Sequence, residues 1–103
     1  MNVTVTVSIG RKTRDGEFLN ETEWERFCKY TKRELTAHGQ LVTMSLDARG
    51  VWQGEYEPCA TFTAADFDDY WLPSLRYSLS VLAKTYGQEA IALVVGQTEF
   101  VNP

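Results

Sequence analysis

The 103-residue sequence predicts an α+β fold of four antiparallel strands and two helices, and three observations carry that expectation. Residues 3–9 read Val-Thr-Val-Thr-Val-Ser-Ile, apolar side chains alternating strictly with small hydroxyls. Trp24, Phe27, Cys28, Thr31 and Leu35 recur at i, i+3, i+4, i+7 and i+11, the spacing of one helix face. Leu75, Leu79, Leu82, Ala83 and Tyr86 form a second such stripe. A period of two and a period of about 3.6 residues thus alternate along one chain.

Each element has its own local reason. In the first strand Val3, Val5, Val7 and Ile9 face a core, while Thr4, Thr6 and Ser8 face water, a partner subunit or a ligand. Residues 11–19 form a turn around Asp15-Gly16. Asn20 then resembles an N-cap with Glu23 three residues later, so a helix follows, with His38 in its last turn as a charge–dipole contact and Gly39 as its end. Val42, Met44 and Leu46 alternate with Thr43, Ser45 and Asp47 in a second strand over 41–48. Arg49-Gly50-Val51-Trp52-Gln53-Gly54 reads as a hairpin with a bulge or an extended loop, and 56–63 returns as a third strand. Pro58 makes that strand irregular or places it near an edge. Asp66, Asp68 and Asp69 suit a helix start, with the main helix beginning near Pro73 and leaving at Gly87. Residues 90–95 supply a last, largely buried strand, which 97–101 could extend.

The order strand, helix, strand, strand, helix, strand is the ferredoxin-like βαββαβ arrangement. Right-handed crossovers put both helices on one face of a four-stranded antiparallel sheet, with strands one and four expected at the centre. Thr4, Thr6, Ser8, Thr43, Ser45, Asp47, Cys59 and Thr61, with Ala92 and Val94, are then expected on the open face. Aromatics that would stack RNA bases are missing from that set, and its small side chains suit close approach of a second sheet.

Composition bounds the rest. With 44% apolar residues and 13 aromatics (three Trp, five Tyr, five Phe), residues 1–103 are expected to form a single domain. Fourteen carboxylates against ten Lys or Arg give a net charge of −4, which disfavours duplex nucleic acid and anionic membranes as partners. The longest apolar run, 90–95, is far too short to span a bilayer, and the first residues do not read as an export signal. A cytoplasmic location follows as the expectation. Cys28 and Cys59 fall in different elements and only one His accompanies them, so neither metal nor other cofactor is expected.

Candidate ligand-binding residues are Arg11, Lys12 and Arg14 in the turn after the first strand, with Arg49 and Trp52 in the hairpin. Guanidinium groups recognise phosphate or carboxylate in a bidentate fork, and an indole stacks on a planar base. The split topology leaves open whether the turn and the hairpin meet within one subunit or across a dimer. Phosphate-loop, nucleophile-elbow and His-Glu-x-x-His signatures are absent from the sequence, and no catalytic residue is assigned. Asp47, Tyr56, Glu57 and Glu89 could each move a proton in a pocket, though spacing selects none of them.

Ser8-Ile9-Gly10-Arg11 resembles the turn of acylphosphatases, but the remaining glycine-rich cradle is not matched. Gly10-Arg11, Glu23-Trp24-Glu25-Arg26-Phe27, Gly50-Val51-Trp52-Gln53-Gly54 and Tyr86-Gly87-Gln88-Glu89-Ala90-Ile91 together resemble a family of small ferredoxin-like bacterial proteins of unknown function. That resemblance implies the same fold and singles out Trp24, Trp52, Gln88 and Glu89. A small acidic chain of this kind is also similar, as a class, to bacteriophage accessory proteins that sequester nucleotide signals between subunits. The leading expectation is therefore a non-catalytic homodimer or larger homo-oligomer that binds a small anionic, nucleotide-like ligand, a sponge working in a host cytoplasm. The alternatives are a dimeric α+β barrel enzyme acting on a small molecule, using Asp47 or Tyr56, and a protein-binding module or inhibitor built on Asp66, Asp68, Asp69, Tyr70 and Trp71.

Overall fold

A computed structural model describes residues 2–103, apart from the side chain of Trp52. The elements are β1 (Asn2–Gly10), α1 (Glu21–Thr36), β2 (Leu41–Trp52), β3 (Glu55–Asp68), a one-turn helix (Asp69–Trp71), α2 (Leu72–Thr85) and β4 (Ala92–Gln97). The four strands form one antiparallel sheet in the order β2-β3-β1-β4, with both helices on one face. This is the ferredoxin-like fold the element order predicts.

One detail of the expected topology is corrected. The central strands are β1 and β3, and β4 is an edge strand paired only with β1. β4 also begins two residues later than the apolar run suggests and is mostly exposed, with Val94 at 63% and Val95 at 39%. An apolar run reads as buried from either side, but here it is Ile91 and Leu93 of the run that pack, partly buried, against the core.

Alternation in β1 works as expected. Val5, Val7 and Ile9 are buried against Ala64, Phe62 and Ala60 of β3. On the opposite face the hydroxyls satisfy one another, Thr6 with Thr63 at 3.2 Å and Ser8 with Thr61 at 3.4 Å. These cross-strand pairs account for a hydroxyl stripe that neither a partner nor a ligand is needed to explain.

α1 buries the five residues its period picks out, Trp24, Phe27, Cys28, Thr31 and Leu35. Its start is a capping box: Glu23 N–H donates to Asn20 Oδ1 at 2.8 Å, and Asn20 N–H donates to Glu23 Oε1 at 3.1 Å. The helix ends at Thr36, with Ala37 as its cap, before Gly39 is reached. α2 buries Leu75 and Leu79, with Leu82, Ala83 and Tyr86 half-buried beside them. Tyr86 stacks on Phe27 at 4.7 Å between ring centroids and so joins the two helices.

The hairpin is longer and tighter than its glycines suggest. β2 runs through Arg49 to Trp52, and only Gln53 and Gly54 connect it to β3, with φ of 50° and 84°. Left-handed φ at both central residues matches a two-residue turn that follows strand twist, and Gly54 accepts it without cost. A bulge falls between Ser45 and Ala48, which sets Ala48 rather than Asp47 opposite Cys59 in the open-face row. β3 reaches Asp68, well beyond residue 63, and Pro58 lies where the hairpin overhangs the end of β1. There its carbonyl accepts the Arg11 amide at 3.0 Å, and its missing N–H disrupts no central ladder.

Candidate functional site

The antiparallel pairing of β1 with β3 brings the turn after β1 and the β2–β3 hairpin to the same end of one subunit. Lys12 Nζ lies 2.9 Å from Glu55 Oε2, at the first residue of β3. No second copy is required for that meeting.

Residues 11–19 form a closed, hydrogen-bonded loop. Leu19 N–H donates to Arg11 O at 3.0 Å, Thr13 N–H to Glu17 O at 2.7 Å, and Gly16 N–H to Thr13 O at 2.9 Å. Gly16 turns at φ 87°. Arg14 N–H donates to Gly87 O at 2.9 Å and docks the loop on the segment between α2 and β4. Turn, hairpin and the 88–92 segment then surround a cavity of about 770 Å³.

The proposed binding residues are distributed unevenly around this cavity. Lys12 and Arg14 line it. Arg11 does not: its Nε donates to Leu19 O at 2.9 Å and its guanidinium stands 3.5 Å from Glu21, so it braces the loop against the start of α1. Arg49 is exposed on β2 opposite Pro58 and is not part of the lining. The side chain of Trp52 lies outside the described residues.

Of the residues that the sequence raised without placing, Tyr56, Glu57, Gln88 and Glu89 all reach the cavity. Asp15, Glu55 and Cys59 also line it. Nothing in the sequence marked Glu55 as a site residue; only the hairpin register brings it opposite Trp52 and within reach of Lys12. Two cations, Lys12 and Arg14, therefore face four carboxylates, Asp15, Glu55, Glu57 and Glu89.

Gly10 admits the Glu57 carboxylate into this wall. A Cβ at Gly10 would stand 2.7 Å from Glu57 Oε2, so the absent side chain leaves the space that the carboxylate occupies. The hydrogen bond to Glu55, then its charge, holds the Lys12 ammonium above its ordinary pKa, and Glu57 adds to the effect. The same contact holds the Glu55 carboxyl below its ordinary value. Burial, followed by the Glu57 charge, raises the Cys59 thiol.

The far end of the sheet is engaged in its own structure. The His38 ring stacks on Trp71 at 4.2 Å and meets Phe67 edge-on at 6.0 Å, replacing the expected charge–dipole role. Asp68 Oδ1 accepts the Tyr70 amide at 3.1 Å, capping the one-turn helix. Among the described residues, no group of His, Cys, Asp and Glu could hold a metal ion. Among the described residues, no helix is long and apolar enough to cross a membrane.

No protein-family model matches this chain, and no curated protein matches it. Solved structures do share its fold. A phage SAM lyase in complex with S-methyl-5′-thioadenosine superposes with a TM-score of 0.63 at 13% identity, over 93% of this chain and 81% of that one. The apo phage SAM lyase gives 0.55 at 14%, over 98% and 86% of the two chains. A dimeric ferredoxin-like protein of unknown function from Thermobifida fusca gives 0.53 at 16%, over 93% and 91%. The resemblance to small ferredoxin-like proteins of unknown function, and the phage analogy beside it, thus hold at the level of the fold.

Proposed function

We propose that this chain binds a small nucleoside-type ligand in the cavity between the turn after β1, the hairpin and the 88–92 segment, and sequesters it as a cytoplasmic homo-oligomer. The observation that carries this reading is the lining: Lys12 and Arg14 set among Asp15, Glu55, Glu57 and Glu89. That balance suits a ligand with a cationic centre beside an anionic group. A polyphosphate would bring its charge against four carboxylates. Arg14 offers the fork for the ligand's carboxylate, and Glu57 the anion for its cation. The volume, about 770 Å³, is that of a pocket for a nucleoside-sized molecule. SAM is a sulfonium nucleoside with an amino acid tail, and a phage SAM lyase of this fold holds S-methyl-5′-thioadenosine. The dimeric state of the Thermobifida fusca protein supports an oligomer.

A second reading, an enzyme acting on SAM, is favoured by the two SAM lyase structures among the fold neighbours. Calorimetric titration with SAM and with S-methyl-5′-thioadenosine, alongside chromatography of the incubated mixture, separates the two. Saturable binding with SAM recovered intact supports sequestration. Release of S-methyl-5′-thioadenosine that is lost in Glu57→Gln supports the lyase. Binding of neither compound overturns both.

A further inference from the structure

We propose that the groove between α2 and β4 is a second ligand site, for a small molecule carrying a phosphate on an apolar body. The groove encloses about 480 Å³ beside the first cavity and shares with it Arg14 and the 88–91 wall. Its charge is opposite in character. Arg14 from the turn and Arg76 and Lys84 from α2 converge on it, against a single lining carboxylate, Glu89. The chain as a whole carries a net charge of −4, so three cations gathered here run against the average surface.

Their placement follows from helix geometry. Arg76, Ser80 and Lys84 stand at i, i+4 and i+8, along one side of α2. The backbone hydrogen bond from Arg14 N–H to Gly87 O brings the third cation to the Lys84 end of α2. The ion pairs of Arg11 with Glu21 and of Lys12 with Glu55 do not engage the three groove cations. Three cations outnumber the one lining carboxylate, Glu89, and a bound anion lowers the repulsion among them. Two guanidinium forks and an ammonium present the donors that phosphate oxygens accept. Leu79, Ala83, Ile91 and Leu93 supply an apolar floor for the rest of the molecule.

Arg76, Ser80 and Lys84 line this groove and not the first cavity, so shifts and variants there test it separately. Inorganic pyrophosphate and adenosine monophosphate are titrated into ¹⁵N-labelled protein at low salt, and amide shifts are followed. The expected result is saturable shifts at Arg76, Ser80, Lys84 and Ile91, with about tenfold or greater loss of affinity in Arg76→Gln/Lys84→Gln. The single variant Lys84→Gln gives a smaller loss in the same direction, and serves if the double variant does not fold. Shifts that fail to saturate, that scatter over all surface cations, or that persist unchanged in the folded variants overturn the proposal. Failure here leaves SAM binding at the first cavity to be judged by its own titration.

Discussion

Lys12 Nζ and Glu55 Oε2 stand 2.9 Å apart, an ion pair that fastens the turn after β1 to the first residue of β3. It is the strut across one wall of the first cavity. Glu55 has its pKa lowered by the contact, so its contribution is present above the ordinary carboxylate value of 4.5 and lost as pH falls through the depressed one. Lys12 has its pKa raised, so its contribution is present below 10.5 and lost as pH rises through the elevated value. Glu55 is exposed and Lys12 partly so, and salt screens the pair. Glu55→Gln is expected to lower the thermal midpoint slightly at neutral pH and low salt. The difference from wild type should close in acid and in molar salt; a difference that survives both would mean the glutamate acts through packing instead.

His38 and Trp71 form the corresponding clasp at the other end of the sheet, stacked at 4.2 Å with their planes 9° apart. His38 O also accepts the Asp68 amide at 3.3 Å, so the end of α1 is tied to the end of β3. His38→Ala is expected to cost about 1 kcal/mol in denaturant unfolding, the worth of one aromatic pair. The Trp71 emission should shift to the red as the ring loses its cover. Unchanged emission would show that the stack does not persist in solution.

Much of the fold was legible because it depends on local periodicity. Trp24, Phe27, Cys28, Thr31 and Leu35 needed only their spacing to be recognised as the buried face of α1. Asn20 and Glu23 needed only their separation to be recognised as its cap. The errors came where a third element decides. Val94 and Val95 are apolar enough for a core, yet β4 lies at the sheet edge and little covers it. Asp47 alternates correctly with Thr43 and Ser45 until a bulge shifts the row by one. The site was legible only in part, since Lys12 and Arg14 stand out as a basic turn. Glu55 enters through hairpin register and Arg76 through helix packing, and neither leaves a mark in the local sequence.

Asp66 has a left-handed backbone, φ 54°, at the irregularity where β3 passes Val3 and Val5 of β1. Its amide donates to Thr98 Oγ1 at 3.0 Å, and that hydroxyl lies 2.6 Å from Thr4 Oγ1, so the bend is held by the segment after β4. Asp66→Asn and Asp66→Gly, which tolerate this conformation, should leave stability near wild type. Asp66→Val is expected to cost about 1–2 kcal/mol, the penalty of a β-branched side chain in left-handed space. Equal stability of the three variants in chemical unfolding would show that the bend relaxes at no cost.

Cys59 lines the first cavity, half-buried, whereas Cys28 is buried on the core face of α1. Burial pushes the Cys28 thiol up to about 11, against the opposing charge of Arg11, so it should stay unmodified by iodoacetamide at neutral pH until the protein unfolds. Cys59 is raised by burial first and by Glu57 second, so its alkylation should be slow and should quicken as pH climbs. Glu57→Gln removes the nearby negative charge, lowers the thiol pKa and should speed labelling modestly, burial being the larger cause. SAM or S-methyl-5′-thioadenosine at saturation should protect Cys59 and leave the Cys28 rate untouched. Mass spectrometry of the alkylated protein reads both thiols at once. Loss of protection at Cys59 in a variant that still binds the ligand would place that ligand elsewhere on the protein.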